Sequence, residues 1–304
     1  MRINKVTIVT IQDIAKLIGI SVAQMEYFAN NLRKHVVEYE TPKKHRPTEK
    51  RIITAPSKDL KILLRAIKGY ILDEYLYPDY TYGLGVKTLR QHAELHAGDK
   101  ELVQVDIRDF YPSLNYKLVY KMWIDDFGFD ARAARILTKL TSMDGGLKQG
   151  FPTSSHIAAI VAKSLTGELN DFCLLNNLRF SQYVDDLNIS GADIDKRKLF
   201  KSIIPMARKV GLTIKKSKTT VRNTSNGKKI TGVSLYGQRT RATKAVRQNA
   251  IQAMKAFRRS PSDKMMLRRV NGYLGFIRHL SRADGKKYAK MKKQNIASKK
   301  HDYK

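Results

Sequence analysis

The tetrapeptide Tyr-Val-Asp-Asp at residues 183–186 is the part of this chain best suited to do chemistry. Apolar residues flank it on both sides, which predicts a β-hairpin with Asp185 and Asp186 at its tip. Neighbouring strand side chains normally point to opposite faces, but at a turn two carboxylates can face one divalent cation. A solvated acidic turn is the competing interpretation if no other acid cooperates.

A third acid is available upstream. Asp106 ends a β-rich run at residues 103–106, and the adjacent aromatics Phe110 and Tyr111 follow it. Carboxylates converging from different strands can hold two metal ions about 4 Å apart, which would align an attacking 3′-oxygen with a leaving pyrophosphate. The sequence therefore predicts two Mg²⁺ ions held by Asp106, Asp185 and Asp186.

Charge points to the partner. The chain has 58 Lys and Arg against 27 Asp and Glu, a formal net charge of +31. Such self-repulsion favours a polyanionic companion, and nucleic acid is the first expectation. Membrane-surface binding is the alternative, but the sequence has no long uncharged apolar run, so we expect a soluble cytoplasmic protein with no membrane partner. The single cysteine, Cys173, excludes a disulfide framework within one chain.

The order of elements predicts the fold class. Helical spacing of apolar residues between positions 10 and 37 predicts two short helices, with Ser21 capping the second. Further on, strands and helices alternate around the acidic hairpin, and one long helix is expected from residues 149–155 to about 176. This pattern predicts an α+β fold in which helices back a small antiparallel sheet. The basic last third is predicted to grip nucleic acid, although its apolar residues equally fit a core.

The motifs come in an order that resembles the reverse transcriptases, over nearly the whole chain. The resemblance implies a right-hand polymerase architecture of fingers, palm and helical thumb. Its parts would be an N-terminal helical segment at 1–40, fingers at 41–100, a palm at 101–235 that includes part of the fingers around 125–155, and the thumb with a basic tail at 236–304.

The same resemblance implies roles for single residues. The three acids would be catalytic, and the Ile107 backbone carbonyl would be a further metal ligand. Tyr111 would be a steric gate that rejects a 2′-hydroxyl. Lys218 would protonate the leaving pyrophosphate, although a plain phosphate contact fits it equally. The nucleotide-binding residues would be Arg51, Lys44, Tyr111, Gln149 and Gly150.

Two short elements resemble those of bacterial retron reverse transcriptases. The family's Asn-Ala-x-x-His reads His-Ala-Glu-Leu-His at residues 92–96, and its Val-Thr-Gly reads Ile-Thr-Gly at residues 230–232. Each departs by one residue, and the family's usual Tyr-Ala-Asp-Asp has Val184 as its second residue. The resemblance implies a cognate structured noncoding RNA as template and primer, and a branched RNA–DNA product called msDNA. It also implies a separate effector protein in phage defence.

Contacts to that RNA are predicted on two elements. The predicted RNA-binding residues are His92, His96, Arg268, Arg269, Tyr273 and Arg278. Two other functions stay open. One is a different bacterial reverse transcriptase of the intron-derived, abortive-infection or diversity-generating type. The other is a basic RNA-binding protein whose acids are incidental.

Overall fold

The structure is a computed structural model. It describes residues 9–43, 46–85, 87–215, 219–223 and 228–301. In chain order its α-helices are α1 (Ile11–Ile18), α2 (Val22–Asn30), α3 (Lys58–Ile67), α4 (Leu89–Leu95), α5 (Phe110–Ser113), α6 (Tyr116–Asp125), α7 (Ala131–Thr141), α8 (Ser154–Val161), α9 (Lys163–Leu175), α10 (Lys196–Lys209), α11 (Lys244–Arg259), α12 (Lys264–Leu280) and α13 (Arg282–His301).

The strands are short and most of them pair antiparallel. In chain order they are β1 (Val36–Lys43), β2 (Arg46–Pro56), β3 (Thr81–Tyr82), β4 (Glu101–Val105), β5 (Ser142–Met143), β6 (Gly146–Leu147), β7 (Arg179–Tyr183), β8 (Asp186–Gly191), β9 (Thr220–Asn223), β10 (Lys228–Ile230), β11 (Val233–Tyr236) and β12 (Arg239–Ala242). Strands β1 and β2 form a long hairpin, and β5 and β6 form a minimal one.

Local sequence explains the first two helices. Thr10 and Ser21 each accept a hydrogen bond from the amide three residues on, and the side chains of Asp13 and Gln24 bond back to the cap residues. These capping boxes begin α1 and α2. Gly19 ends α1 with a φ of 70°, a conformation that glycine adopts without strain. The prediction that Ser21 caps the second helix is confirmed.

A five-stranded sheet in the order β3-β7-β8-β4-β9 forms the middle of the molecule. Among the described strands of this sheet, β3 and β7 are the one parallel pair. In the β7–β8 hairpin Tyr183 lies opposite Asp186, and Val105 of β4 lies opposite Leu187 of β8. Since the pairing is antiparallel, Asp106 leaves its strand beside Asp186. The predicted α+β fold with a small antiparallel sheet is thus the one observed.

The hydrophobic residues form two cores. The first packs helices from both halves of the chain around the sheet, with Trp123 fully buried in it, and it ends at Ile214. The second joins β10, β11 and β12 to helices α11, α12 and α13, and it also takes in Ala93 and Ala97 from the region of α4. The basic last third therefore packs on a core of its own.

Two expected elements differ from the structure. The long helix expected to end near residue 176 is interrupted at Ala162, whose ψ of −2° separates α8 from α9. The strand pair expected near residues 230–235 is part of a three-stranded sheet that β12 completes. Among the described residues, no helix has both the length and the apolar character that crossing a bilayer requires.

Candidate active site

The tip of the β7–β8 hairpin is strained. Val184 and Asp185 form its two-residue turn, and Val184 has a φ of 56°. A positive φ at the first turn residue alone is the pattern of a type II′ turn, where glycine is usual. For a β-branched residue this backbone conformation is an outlier that persists only when its surroundings enforce it.

Buried amide side chains enforce that turn. Gln182 donates from Nε2 to the Val184 carbonyl at 3.1 Å, and Asn188 donates from Nδ2 to the Asp186 carbonyl at 3.2 Å. Gln104 in turn donates from Nε2 to Asn188 Oδ1 at 3.0 Å, which ties the hairpin to β4. Because Gln182 and Asn188 are buried, these hydrogen bonds are shielded from competition with water.

Asp185 and Asp186 both have raised pKa values. Burial raises the pKa of Asp186 to about 7, with further upward contributions from Asp185 and Asp106. Burial also raises the pKa of Asp185, where Asp106 adds to the effect and Arg51 opposes it. Solvent reaches Asp185 at the turn, but the protein packed on its inner side limits its hydration. Three carboxylates therefore share one electrostatic environment.

Within the described residues the three acids have no ion-pair partner, although the charge of Arg51 acts on Asp185. In the part of the chain that the structure describes, no Lys, Arg or His forms an ion pair with Asp106, Asp185 or Asp186. Within the same residues, no group of three His, Cys, Asp or Glu side chains stands in metal-binding geometry. The donor chemistry nevertheless fits a hard divalent cation, since all three side chains offer carboxylate oxygens whose mutual repulsion such an ion would relieve.

The Ile107 carbonyl is placed to join them. Ile107 and Ile214 form an isolated antiparallel bridge. Its two hydrogen bonds use the Arg108 amide and the Asp106 carbonyl, each at 2.8 Å. In this pairing the Ile107 carbonyl points to the opposite edge of the strand, where Asp186 lies. Its predicted role as a metal ligand stays a prediction.

The raised pKa of Asp186 predicts how the stability of the metal-free protein depends on pH. The ordinary value of 3.8 applies to the unfolded chain, and folding raises it to about 7. The folded protein keeps a proton that the unfolded chain has lost, so stability should fall as pH rises through this interval and stay low above it. Asp186→Asn removes the group. We expect its thermal midpoint in EDTA to exceed that of the wild type at pH 8, and the difference to vanish near pH 4; a lower midpoint at pH 8 would contradict the shift.

Tyr111 closes one side of this site. It lies in α5, one short turn after Asp106, and its hydroxyl is 3.1 Å from Ser155 Oγ on α8. Burial raises the pKa of Tyr111 to about 12, and the charges of Asp185 and Asp186 contribute. The phenol is therefore neutral, held by Ser155 and close to the acids.

A glycine joins the β1–β2 hairpin to the site. The Thr54 amide on β2 donates to the Gln149 carbonyl at 2.7 Å. Gly150 has a φ of 119°, and a Cβ there would lie 2.4 Å from the Thr54 carbonyl oxygen. The same hairpin carries Arg51, which is exposed and lowers the pKa of Asp185. Gln149 and Gly150 thus contact the hairpin that carries Arg51, and the charge of Arg51 acts on Asp185; nucleotide binding by these three residues stays a prediction.

Gly150→Ala should loosen this contact. The clash with backbone and the positive φ together should destabilise the protein by about 3 kcal/mol, which lowers its thermal midpoint by roughly 5 °C. Gly145→Ala is the matched control, since Gly145 also has a positive φ, 82°, but open space around its Cβ position. Scanning calorimetry of both variants separates the clash from the backbone strain. Equal midpoints would show that the Thr54 contact contributes nothing.

The histidine prediction is wrong. His92 and His96 are fully buried, so neither imidazole can contact RNA. Their spacing places them on one face of α4 and its end, and that face packs against the five-stranded sheet, where both rings contact Ser181 Oγ. His92 also lies 2.9 Å from Thr231 Oγ1. The two elements at 92–96 and 230–232 therefore meet inside the protein.

The other predicted RNA contacts lie at the surface of α12. Arg268, Arg269 and Arg278 are exposed and Tyr273 is half-buried. On the inner face of the helix Ile277 is buried, as expected for a core residue. RNA binding by the four stays a prediction. The predicted Lys44 and Lys218 lie outside the described residues.

Comparison with known proteins identifies the class of this site. The family model of the reverse transcriptases (RNA-dependent DNA polymerases) matches residues 41–235. The match covers more than half of the chain and includes the three acids, Tyr111 and Gly150. The chain belongs to the reverse transcriptase family. RNA-directed DNA polymerase is the activity of that family, and its members depend on divalent metal ions.

Several curated reverse transcriptases are similar to the chain. The retron Ec86 reverse transcriptase of Escherichia coli is 28% identical over 232 residues, which cover 73% of this chain and 70% of the relative. The retron Se72 reverse transcriptase of Salmonella heidelberg is 23% identical over 230 residues, which cover 74% and 60%. The chain therefore spans less than two thirds of the second relative.

Among solved structures, apo telomerase from Candida Tropicalis, truncated from its C-terminal domain, aligns with a TM-score of 0.43 and 13% identity. The alignment covers 72% of this chain and 59% of the telomerase chain. Membership of the reverse transcriptase family, together with the mixed helix and sheet architecture, confirms the predicted right-hand polymerase fold.

Some residues that shape this reverse transcriptase site were not predicted. Ser155 was expected only to begin a helix, yet it holds the Tyr111 hydroxyl. Gln182 and Asn188 enforce the strained turn, and one feature of the sequence could have indicated their role. Both are amide residues in the two strands that flank the acidic tetrapeptide, and a buried amide must find a partner.

Proposed function

We propose that this reverse transcriptase copies a cognate structured noncoding RNA into single-stranded DNA that stays linked to the RNA through a branch, the product called msDNA. The RNA would serve as template and primer, with growth starting from a 2′-hydroxyl of an internal guanosine. The substrates would be dNTPs, and the product an RNA–DNA hybrid. The proposal thus adds a particular template and a particular product to the activity of the family.

The convergence of three carboxylates that form no ion pair among the described residues carries the chemical part of the proposal. Asp106, Asp185 and Asp186 would hold two Mg²⁺ ions, which supply charge stabilisation at the attacking and leaving oxygens when bound. The β7–β8 hairpin, held by the side chains of Gln182 and Asn188, would keep the acids at its tip in place without reorganisation, as a preorganised site requires. Tyr111 would limit the space at the sugar, and Arg51 would bind triphosphate oxygens.

The retron part rests on likeness. The curated relatives reported above are named retron reverse transcriptases. The elements at 92–96 and 230–232, each one residue away from the retron pattern, contact each other through His92 and Thr231. Their contact supports a shared structural purpose for the two elements. A role in phage defence with a separate effector protein is proposed from this likeness alone.

RNA would be gripped mainly through its phosphates. A net charge of +31 and the exposed Arg268, Arg269 and Arg278 on α12 favour binding to a polyanion. Because the deep groove of A-form RNA hides its base edges, recognition of a cognate RNA would depend on loops, 2′-hydroxyls and backbone geometry.

The test is to express the gene with its native flanking DNA and to extract short nucleic acids. We expect a discrete DNA species that carries an RNA branch, and that debranching enzyme releases. The double variant Asp185→Asn/Asp186→Asn is the control and should yield none. If the purified protein copies RNA into DNA but no branched species forms in cells, the msDNA proposal fails and the polymerase activity stands.

A further inference from the structure

Six buried or half-buried side chains form a continuous line behind the catalytic hairpin. They run from the β10–β11 turn to Asp99, just before β4. Neighbouring polar atoms in the line are 2.9, 2.8, 2.7 and 2.7 Å apart, and the last contact is a hydrogen bond from a serine to an aspartate. In order, the side chains are Thr231, His92, Ser181, His96, Ser190 and Asp99.

The Asp99 end of the line determines which atoms of Ser190 and His96 donate a proton. The Asp99 carboxylate, which also pairs with Arg179 at 3.3 Å, can only accept, so the Ser190 hydroxyl donates to it. Ser190 has one proton, and it must therefore accept from its other neighbour, His96 Nδ1, 2.7 Å away. His96 thus carries a proton on Nδ1.

The Ser181 hydroxyl determines the direction of the remaining hydrogen bonds, up to Thr231. It lies 2.7 Å from His96 Nε2 and 2.8 Å from His92 Nε2, and it can donate to only one of them. A neutral His96, which keeps charge out of the buried site, has a bare Nε2 that accepts this proton. Ser181 then accepts from His92 Nε2–H, and the bare His92 Nδ1 accepts from the Thr231 hydroxyl at 2.9 Å.

We infer that these six side chains form a hydrogen-bond chain of one direction, from Thr231 to Asp99, that positions the catalytic hairpin against the β10–β11 turn. Asn188 Nδ2 also lies 3.5 Å from His92 Nε2, a longer contact than the 2.8 Å from His92 Nε2 to Ser181 Oγ, so the Ser181 hydroxyl is the nearer partner of this nitrogen. Burial lowers the pKa of His92 to about 4, so this imidazole is neutral at physiological pH. Only a doubly protonated His96 would reverse the order between Ser181 and Thr231.

The hydrogen-bond chain includes residues of both strands that carry the acidic turn. Ser181 precedes Tyr183 by two residues on β7, and Ser190 lies on β8. The His92 ring stacks on the Tyr183 ring, with centroids 5.1 Å apart and planes 28° apart. A shift of His92 would therefore move both a hydrogen bond to β7 and the aromatic ring that begins the acidic tetrapeptide.

The Thr231 end carries backbone strain. Thr231 and Gly232 form a two-residue turn with φ values of 44° and 84°, the pattern of a type I′ turn that favours Asn-Gly. A β-branched residue is unfavourable at the first position. Its hydroxyl bond to His92 supplies a reason for threonine there, since neither glycine nor asparagine would present that donor in the same place.

The first experiment reads the proton order without any catalysis. Nitrogen-15 NMR of histidine-labelled, metal-free protein distinguishes the two neutral tautomers and the cation, with the signals assigned by replacing the other histidines. We expect His92 to be protonated on Nε2 and His96 on Nδ1. A His92 protonated on Nδ1, or a doubly protonated His96, would overturn the inference.

The second experiment compares Thr231→Val, which keeps the shape and removes the hydroxyl, with Thr231→Ser, which keeps the hydroxyl. The positioning role rests on the proposed catalysis by the hairpin acids, so DNA synthesis is measured on a generic RNA template with an annealed DNA primer. We expect kcat to be about tenfold lower for the valine variant than for the serine variant. Its Mg²⁺ requirement should rise, while RNA affinity stays equal.

The outcomes separate the two proposals. Equal kcat values for both variants, or a fall in RNA affinity that accounts for the loss, would overturn the positioning role. A wild-type protein inactive on the generic template would instead contradict the proposed catalysis, and the NMR result would still report the hydrogen-bond chain. Thermal unfolding of both variants confirms that each is folded.

Discussion

Asp185→Asn is expected to reduce Mg²⁺-dependent incorporation of dNTPs on an RNA template by roughly 1,000-fold or more. The amide keeps the shape of the side chain but removes the charge that would hold a metal ion. The turn itself should survive, because Gln182 and Asn188 bond to backbone carbonyls of Val184 and Asp186 and not to the Asp185 side chain. Single-turnover incorporation measures the effect.

The control for this variant is another acid. Asp193→Asn removes an exposed carboxylate just beyond β8, with a similar loss of overall negative charge, and it should leave incorporation within about twofold. Since burial raises the pKa of Asp185, removal of its charge should not lower the thermal midpoint of the metal-free protein. Substantial synthesis by the Asp185 variant would exclude Asp185 as a metal ligand.

Tyr111→Ala is expected to let ribonucleotides in. The ring is fixed beside the acids by its short helix and by the Ser155 contact at 3.1 Å, where it would clash with a 2′-hydroxyl. Removing it should lower the preference for dNTPs over NTPs by about 100-fold, which corresponds to ~2.8 kcal/mol. The ratio of kcat/KM values for dGTP and GTP measures this preference.

Tyr111→Phe separates the ring from its hydroxyl. The phenylalanine keeps the steric bulk and loses only the hydrogen bond to Ser155, so the selectivity should stay close to that of the wild type. Lost selectivity in the phenylalanine variant would assign the discrimination to the hydroxyl. Unchanged selectivity in the alanine variant would show that Tyr111 is not the gate.

The central hairpin was predictable because its signals are local. Apolar runs on both sides of two acids determine a strand, a turn and a strand, and the β-rich run before Asp106 determines its neighbour. The strain at Val184 was not predictable, because valine favours ordinary strand geometry and nothing nearby in sequence announces a positive φ. The amides that enforce it act through pairings that appear only once the sheet has formed.

The prediction that the two histidines contact RNA was wrong for a related reason. Spacing alone shows that His92 and His96 share a helix face, but it cannot show what that face packs against. Their partners Ser181 and Ser190 lie 85 or more residues away in sequence. A long-range polar contact of this kind leaves no periodic pattern, so the sequence does not distinguish a buried histidine from an exposed one at these positions.

The composition of the second core sets the order in which the protein can be completed during synthesis. The described buried residues of the first core end at Ile214, whereas most of those that pack with Ala93 and Ala97 lie between Ile230 and Tyr288. Until those residues leave the ribosome, Ala93 and Ala97 lack most of the side chains that bury them, and Thr231 is not in place to meet His92. A nascent chain that already contains Asp106, Asp185 and Asp186 therefore still lacks most of the second core.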